Sequence, residues 1–307
     1  MVWLVLAFIS AAMLGFYDAS KKYSLRNNAV IPILLLNTLF CALLLTPLII
    51  FSYTGHIHES SPFHVGHITG AQHRLIIIKS AIVLSSWILG YFAIKHLPLT
   101  IAGPINATRP VMTIVGALLI FGETLNAWQW AGVILGAISF FMMSRSSSKE
   151  GIRFSHNLWI YLIIGAAILG TASGLYDKYL MSPPETGGAG VDRMAVQGWY
   201  NIYQCLMMGA VLLIVWWPRR RRTTPFRWTP AIVLISIFLS VADFVYFYAL
   251  TFPDAMISVV SMVRRGSVLV SFVIGALIFN EKNLRSKAVD LVFVLLSMIC
   301  LWIGTKG

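Results

Sequence analysis

Long apolar stretches separated by short polar segments run through the whole sequence. A membrane-spanning helix needs about 20 apolar residues, and ten stretches of roughly this length can be placed. They cover approximately residues 2–24, 29–53, 74–95, 97–121, 127–144, 157–180, 195–217, 229–251, 254–279 and 286–305. Only 11% of the residues are charged, whereas soluble domains carry about 25%. The pattern therefore predicts an all-α integral membrane protein with ten transmembrane helices.

The fourth stretch carries an arginine, Arg109, near its middle. An ionised side chain at that depth costs roughly 2.5–3.5 kcal/mol, so it is expected to face a polar cavity, a charged partner or a ligand. Pro104 and Pro110 flank the arginine and free backbone carbonyl groups beside it. The ninth stretch repeats this arrangement with Arg264 and Arg265, and its ending GALIFNE resembles the ending GALLIFGE of the fourth.

The two halves of the chain resemble each other at an offset of 155 to 159 residues. The matched pairs are Tyr17 with Tyr176, Asp18 with Asp177, Pro98 with Pro253, Arg109 with Arg265, and Glu123 with Glu281. We interpret the halves, residues 1–150 and 151–307, as two five-helix repeats. Because each repeat holds an odd number of spans, the second is inserted upside down. Inverted repeats are common in secondary transporters, whose sites lie near the midplane, so a central cavity is expected.

Pairs of glycines four residues apart occur in the predicted spans. Gly132 and Gly136 form one pair, and Gly170 and Gly174 form another. This small-xxx-small spacing lets helices approach closely, so we interpret all four as packing residues.

Basic residues are distributed unevenly between the two sets of loops. One set holds Lys21, Lys22, Arg26, Lys95, Arg145, Lys149, Arg153, Arg219, Arg220, Arg221, Arg222, Arg227, Lys282, Arg285 and Lys287, and the other only Arg74, Arg193 and Lys306. Loops rich in basic residues stay in the cytoplasm, which places both termini outside. The net charge of +12 belongs to these loops and the lipid bilayer, so no nucleic-acid partner is expected. No organelle-targeting segment is recognisable, and the expected location is a bacterial inner membrane.

The arginines within the spans predict a central anion site. A guanidinium group offers planar, bidentate donors for carboxylate or phosphate and stays charged when it is desolvated. The alternative is that Arg109, Arg264 and Arg265 are structural and permanently paired with carboxylates of the spans. Adjacent residues on a helix point about 100° apart, so one of Arg264 and Arg265 is expected to bind the ligand while the other holds a carboxylate.

Three carboxylates lie within the spans: Asp18, Asp177 and Asp243. Asp243 is either a proton-coupling carboxylate or the counter-ion of an arginine, and the sequence leaves both roles open. Asp18 and Asp177 allow the same two roles, and the neighbouring Lys21 and Lys178 favour ion pairs. Protons are therefore a candidate coupling ion.

Aromatic residues lie close to these charges along the chain. Tyr17 and Tyr176 precede two of the aspartates, and Tyr246 follows Asp243 by three residues. Trp199 and Tyr203 lie near the start of the seventh span. They form either part of the interfacial aromatic belt or the wall of a site for a ring-bearing or cationic ligand.

Five of the seven histidines lie between Thr54 and His73, at HxH and HxxH spacings. These spacings permit metal ligation, but a polar loop without cysteines explains them equally well, so metal binding stays open and no metal site is assigned. The chain has no phosphate-binding glycine loop, no HExxH motif and no Ser-His-Asp pattern on a polar face. Neither enzymatic activity nor a cofactor is therefore expected.

These features together resemble the drug/metabolite transporter superfamily, in particular its EamA-type members with two five-helix repeats. The resemblance rests on the endings GALLIFGE and GALIFNE, on Pro98 and Pro253, and on the ten-span length. It implies ten helices around a central cavity and transport by alternating access. The adjacent Arg264 and Arg265 also resemble the basic pair with which sugar-phosphate translocators of this superfamily hold phosphate.

The sequence thus predicts a secondary transporter of a small anionic or zwitterionic metabolite. One alternative is an importer or exporter of an aromatic or amine compound, with structural arginines. Another is a lipid flippase or an integral membrane enzyme that takes a phospholipid-like head group into the basic cavity. A receptor-like protein without solute flux is a further alternative.

Overall fold

The structure, a computed structural model, describes residues 2–109, 111–112, 126–148, 156–181, 183–249, 263–279 and 284–306. The described residues are predominantly helical and include no β-strand. Within the described residues, seven helices are long and apolar enough to cross a membrane. The chain is therefore a multi-pass α-helical membrane protein, as its apolar pattern predicts.

The α-helices of the described residues lie close to the predicted spans. They are α1 (Val2–Leu25), α2 (Val30–Tyr53), α3 (Gly70–His96), α4 (Leu99–Ala107), α5 (Ala127–Ser148), α6 (Leu158–Met181), α7 (Arg193–Val211), α8 (Ala231–Ala249), α9 (Ser267–Leu277) and α10 (Leu284–Lys306). After α7 the helix continues as a π-helical turn, Leu212–Trp216, and a 3₁₀ turn, Trp217–Arg219.

Parts of the predicted fourth and ninth spans lie outside the described residues, so ten spans and inverted repeats stay predictions. Three residues used to match the two halves also lie outside them, Glu123, Pro253 and Glu281, and so does Pro110 beside Arg109. The same holds for the ending at residues 116–123.

Polar side chains fix the two ends of α3. At its start, Thr69 and Gln72 form a capping box in which each side chain bonds the other's backbone N–H, which satisfies donors that the first helical turn leaves unpaired. At its end, Lys22 Nζ of α1 donates to the carbonyl oxygens of Ile94, at 2.7 Å, and Leu97, at 2.5 Å. A cation is favourable at a helix C-terminus, so this contact ties the end of α1 to the end of α3.

The helices pack in pairs that join the two halves of the chain. The most extensively packed pairs are α1 with α8, α10 with α5, α3 with α6, and α2 with α7, and α4 packs on α9. Gly132 accounts for one close approach, because a Cβ atom there would lie 2.5 Å from Leu301 Cδ2 of α10. Gly136 likewise faces Ser297 of α10.

Several polar connections meet at one end of the bundle, which we call the basic face. Asn28 Nδ2, after α1, donates to the carbonyl oxygen of Arg227, at 2.6 Å, and Lys95 Nζ donates to Thr224 Oγ1, at 3.0 Å. The α1–α2 turn, the end of α3 and the α7–α8 loop therefore lie together. Lys287, at the start of α10, reaches the same end by donating to Thr100 Oγ1 at 2.8 Å.

The loops before α3 and before α7 meet at the opposite face. Asp192 Oδ2 accepts hydrogen bonds from the backbone N–H groups of Ala195, at 2.8 Å, and Gly66, at 3.2 Å. Arg193 Nη2 donates to the carbonyl oxygen of Pro62 at 3.1 Å. Since α1 ends at the basic face and α10 starts there, the N-terminal end of α1 and the C-terminal end of α10 lie on this opposite face.

Asp192→Ala is expected to destabilise the protein by about 1–2 kcal/mol, because it removes the N-cap of α7 together with the tether to Gly66. The measurement is the thermal unfolding midpoint in detergent. Glu185→Ala, in the same loop and exposed, is the matched control. Equal midpoints for the two variants would contradict this role for Asp192.

Candidate functional site

A central cavity of about 290 Å³ lies between the two halves of the chain. Its described lining includes the charged residues Asp18, Lys21, Lys79, Arg109, Asp177, Asp243, Arg264 and Arg265. These residues belong to α1, α3, α6 and α8, to the connection between α4 and α5, and to the segment before α9. Every charge that the sequence analysis assigned to the site therefore meets in one cavity.

The first ion pair lies within α1. Lys21 Nζ is 2.6 Å from Asp18 Oδ1, and it also lies over the rings of Tyr17 and Tyr91, at 4.2 and 5.3 Å from their centroids. Ser271 Oγ of α9 donates to the second oxygen, Asp18 Oδ2, at 3.4 Å. The lysine is thus held by a carboxylate and by the negative faces of two aromatic rings.

The second ion pair joins α3 to α6. Lys79 Nζ is bonded to Asp177 Oδ1 and lies 5.1 Å from the centroid of the Tyr200 ring. The side chain of Lys79 is 4% exposed, whereas that of Asp177 is 25% exposed. Both residues line the cavity, and the carboxylate is the more accessible member of the pair.

The third ion pair joins the segment before α9 to α8. Asp243 Oδ1 bonds Arg264 Nη2, and Asp243 Oδ2 accepts from the hydroxyl of Tyr200 at 3.0 Å. The Arg264 guanidinium also lies 4.2 Å from the centroid of the Tyr246 ring. Both oxygens of Asp243 are thus engaged by side chains of the cavity wall.

The side chain of Arg109 extends from the end of α4 to α6. Its Nη2 atom donates to Asn106 Oδ1, at 3.1 Å, and to the carbonyl oxygen of Ala166, at 3.4 Å. The guanidinium group lies against Gly170, where a Cβ atom would be 2.5 Å from Arg109 Cζ. Gly170, interpreted from the sequence as a helix-packing residue, therefore makes room for the arginine.

Gly170→Ala is expected to force the Arg109 guanidinium group out of this position and to cost about 1 kcal/mol of stability, the lower end of the range for overpacking, because the far end of a flexible side chain can move aside. Gly174→Ala is the matched control, because Gly174 lies one helical turn further along α6 and a Cβ atom there meets nothing within 4 Å. Thermal unfolding of both variants checks this. If Gly174→Ala lowers the midpoint as much as Gly170→Ala, the contact with Arg109 is not the cause.

Arg265 differs from its neighbour Arg264. Among the described residues, it makes no hydrogen bond and has no carboxylate within ion-pair distance, although it lines the cavity. Its electrostatic neighbours include Arg109 and Arg264, which repel it. Both arginines line the cavity, but only Arg264 holds a carboxylate, and ligand binding by Arg265 stays a prediction.

Two predicted aromatic residues, Tyr17 and Tyr246, line the cavity, whereas Tyr176, Trp199 and Tyr203 do not. Trp199 packs its ring against His73, edge to face at 4.8 Å, and the Tyr203 hydroxyl lies 2.7 Å from His73 Nδ1. The Tyr176 hydroxyl donates to the carbonyl oxygen of Leu75 at 3.3 Å. The structure therefore places these three rings beside the start of α3, outside the lining.

Several lining residues were absent from the predicted site. Lys21 and Lys287 had been counted with the loop anchors, but both lie in helices and are buried, and Lys21 lines the cavity. The i+3 spacing from Asp18 to Lys21 was the available signal. Tyr200 lies in the same aromatic stretch as Trp199 and Tyr203, but the sequence does not distinguish it from them, and Tyr91 gave no signal, because only packing shows which face a tyrosine of an apolar span occupies.

The histidine-rich loop shows no metal centre within the described residues, which contain no group of three or more His, Cys, Asp or Glu side chains suited to hold a metal ion. His67 stacks on Tyr53 at 4.1 Å between ring centroids, and His58 Nδ1 lies 2.8 Å from Ser60 Oγ. These histidines therefore contact separate neighbours rather than one another.

The fold and the cavity define a multi-pass helical membrane protein with a charged central site. The sequence profile of the EamA-like transporter family matches residues 1–145, so this part of the chain is similar to that family of membrane transporters, which confirms the resemblance predicted from the sequence. No curated protein sequence matches the chain. A solved structure, described only as a crystal structure of a protein, superimposes with a TM-score of 0.62 at 12% identity and covers 99% of this chain and 98% of its own. At that identity the likeness concerns the fold alone.

Proposed function

We propose that this protein is a secondary transporter that moves a small anionic or zwitterionic metabolite across the membrane, with the negative group of the substrate bound in the central cavity. The match of residues 1–145 to the EamA-like transporter family supports transport. The class of substrate is argued from the cavity itself.

The observation that carries this proposal is the charge balance of the cavity. Its described lining holds five basic side chains and three carboxylates, an excess of two positive charges. The carboxylates of Asp18, Asp177 and Asp243 each accept from a basic side chain. Arg265 has no carboxylate within ion-pair distance among the described residues, and because a charge without a counter-ion is costly at membrane depth, an anionic ligand offsets that cost.

Arg265 is the residue we assign to the anionic group of the substrate. It lines the cavity without a hydrogen-bonding partner among the described residues, and its planar fork suits a carboxylate or a phosphate. Arg109, its match in the first half, lines the same cavity. In this proposal Arg264 is structural, because it is held by Asp243 and Tyr246.

The cavity also offers accessible carboxylates for the positive group of a zwitterion. The side chains of Asp18 and Asp177 are 22% and 25% exposed, whereas their lysine partners are 7% and 4% exposed. The carboxylates are thus the accessible members of both pairs, and an ammonium group can bind there. The volume of about 290 Å³ lies at the lower end of ligand pockets, which favours a small metabolite.

Alternating access between inverted repeats is supported by the way in which the helices pair. Each helix can be replaced by the helix five places further along the chain, with the count continuing from α10 to α1. The α1–α8 pair then becomes the α6–α3 pair, which is also packed, and the pairs α2–α7, α4–α9 and α5–α10 are unchanged. Two repeats related by a two-fold axis in the membrane plane would produce this scheme.

The orientation of the protein in the membrane is inferred from the basic face. The loops that meet there carry Arg26, Lys95 and the run Arg219–Arg222, and such loops remain in the cytoplasm. Both termini then lie outside, and we assign the protein to a bacterial inner membrane.

Thermal unfolding of the purified protein against carboxylates, phosphate esters, amino acids and amines tests the substrate class. A ligand that binds only the folded state raises the midpoint by mass action. We expect stabilisation by an anion or a zwitterion. Stabilisation by amines alone would overturn the anion site and favour the alternative in which the arginines are structural.

A further inference from the structure

Two helix pairs, α1 with α8 and α3 with α6, together line the central cavity. Each pair is extensively packed within itself, whereas the packing between α1 and α3 is limited. The proposed two-fold relation exchanges the two pairs. In alternating access one bundle of helices rocks against the other around the site. A bond that joins the two pairs at one end of the cavity therefore opposes opening at that end.

Buried side chains close the cavity toward the basic face. On α1 and α3, the lining residues nearest this face are Lys21, Tyr91 and Ile94, and all three are buried. Beyond them lie Leu25, the last residue of α1, and Leu97, the residue after α3, which are 0% and 1% exposed. We call these five residues the basic-face gate.

The cavity extends further toward the opposite face. Its lining there includes Met181, which is the last residue of α6 and is part-exposed. The side chain of Asp177, one helical turn earlier, is 25% exposed. The lining thus reaches the end of a helix at this face, whereas buried side chains cover it at the basic face.

Lys22 joins the two helix pairs at the basic-face gate. Its Nζ atom, on α1, donates to the carbonyl oxygens of Ile94 and Leu97, at 2.7 and 2.5 Å. Carbonyl groups in the last turn of a helix lack partners within the helix, and a cation is favourable beside them. Both bonds are part-buried, so salt screens them less than it screens bonds on the surface.

The equivalent position in the second half carries an apolar side chain. In the matching that pairs Asp18 with Asp177, Lys22 corresponds to Met181. A thioether has no N–H or O–H to donate, so Met181 cannot bond the carbonyl groups at a helix end as Lys22 does. The two ends of the cavity therefore differ in the residue that could hold them closed.

We propose that Lys22 holds the basic-face gate closed, and that the cavity opens to the basic face only when its bonds to Ile94 and Leu97 break. This inference rests on the alternating access of the proposed function. Because Met181 stands at the matched position, the device acts at one face only and favours the state in which the cavity faces the other. Lys22 is not part of the described lining, so it is a positioning residue of the gate and does not contact the solute.

Thiol labelling from one side of the membrane tests the proposal on the full-length protein in vesicles. Gly174→Cys supplies the reporter, because Gly174 lines the cavity and a Cβ atom there meets nothing within 4 Å. A membrane-impermeant maleimide is added to vesicles that present the basic face. These are the vesicles in which Glu59→Cys, in the exposed loop of the opposite face, stays unlabelled. Protein without the reporter gives the background from the native cysteines.

Lys22→Met is expected to accelerate labelling from the basic face by at least about tenfold, the equivalent of one charged hydrogen bond. Lys22→Gln keeps a neutral donor and should give an intermediate rate, and Lys22→Arg keeps a charged donor and should stay close to the slow wild-type rate. Lys95→Met is the matched control. Lys95 lies at the same end of the bundle but donates to Thr224 of the α7–α8 loop, so its loss should leave the rate unchanged.

A basic-face labelling rate that is the same in Lys22→Met, Lys22→Gln and the wild type would overturn the proposal. Equal acceleration in Lys95→Met would do so too, because loss of charge at this face would then be the cause. Acceleration from both faces together with a lowered unfolding midpoint would indicate general loosening and also contradict it. Labelling needs no solute, so an absence of solute uptake alongside the expected labelling would count against the proposed transport and leave the role of Lys22 standing.

Discussion

Arg265→Gln is expected to weaken binding of the substrate anion by about 10- to 150-fold, the equivalent of a charged hydrogen bond of about 1.5–3 kcal/mol. Transport should fall in parallel. The unliganded protein should keep or slightly raise its unfolding midpoint, because the substitution removes repulsion between Arg265 and its neighbours Arg109 and Arg264. Binding is measured by titrating the anion that gives the largest thermal stabilisation.

Two variants accompany this measurement. Arg265→Lys keeps the charge but loses the planar fork, so its affinity should lie between those of the wild type and Arg265→Gln. Arg222→Gln removes an exposed charge of the α7–α8 loop and should bind normally. An unchanged affinity in Arg265→Gln would remove this arginine from the site, and a lowered midpoint of the unliganded variant would indicate a structural role instead.

Asp243→Asn is expected to cost up to about 3–5 kcal/mol of stability, the range for breaking a buried ion pair, because it leaves the part-buried Arg264 without its carboxylate. The Tyr200 hydroxyl also loses a charged acceptor. Thermal unfolding of the detergent-solubilised protein checks this, and Asp192→Asn provides a comparison at a carboxylate outside the cavity.

The double variant Asp243→Asn/Arg264→Gln tests whether stability is lost because Arg264 lacks its counter-ion. If Asp243 serves as counter-ion, the second substitution restores most of the stability, and the coupling between the two sites is large. The pH dependence of transport should then persist in the double variant. A stable double variant whose transport no longer responds to pH would make Asp243 the proton-coupling carboxylate.

The sequence identified charged residues that line the central cavity, because an ionised residue in an apolar span has few places to lie. Asp18, Arg109 and Asp243 come from separate helices, and each is conspicuous against its apolar neighbours. The helical angle between Arg264 and Arg265 predicted that one of them would hold a carboxylate, as Arg264 does, and ligand binding by the other stays a prediction. Helix positions followed from apolar length alone.

The aromatic part of the site could not be predicted in the same way. Trp199, Tyr200 and Tyr203 belong to one short stretch, and only Tyr200 reaches the cavity. The seventh span is apolar or aromatic on several sides, so its pattern does not show which side faces the other helices. Gly170 illustrates the same limit: its spacing indicates close packing, but the partner is an arginine from another helix.

Uptake of a labelled solute into liposomes containing the purified protein is the most direct test of the central claim. The solute is the anion or zwitterion that stabilises the protein most. The account predicts saturable uptake by the wild type and by Arg222→Gln, and uptake reduced by at least about tenfold, the lower bound set by one charged hydrogen bond, in Arg265→Gln. Uptake that is equal in Arg265→Gln, or absent for every anion and zwitterion that binds, would contradict it.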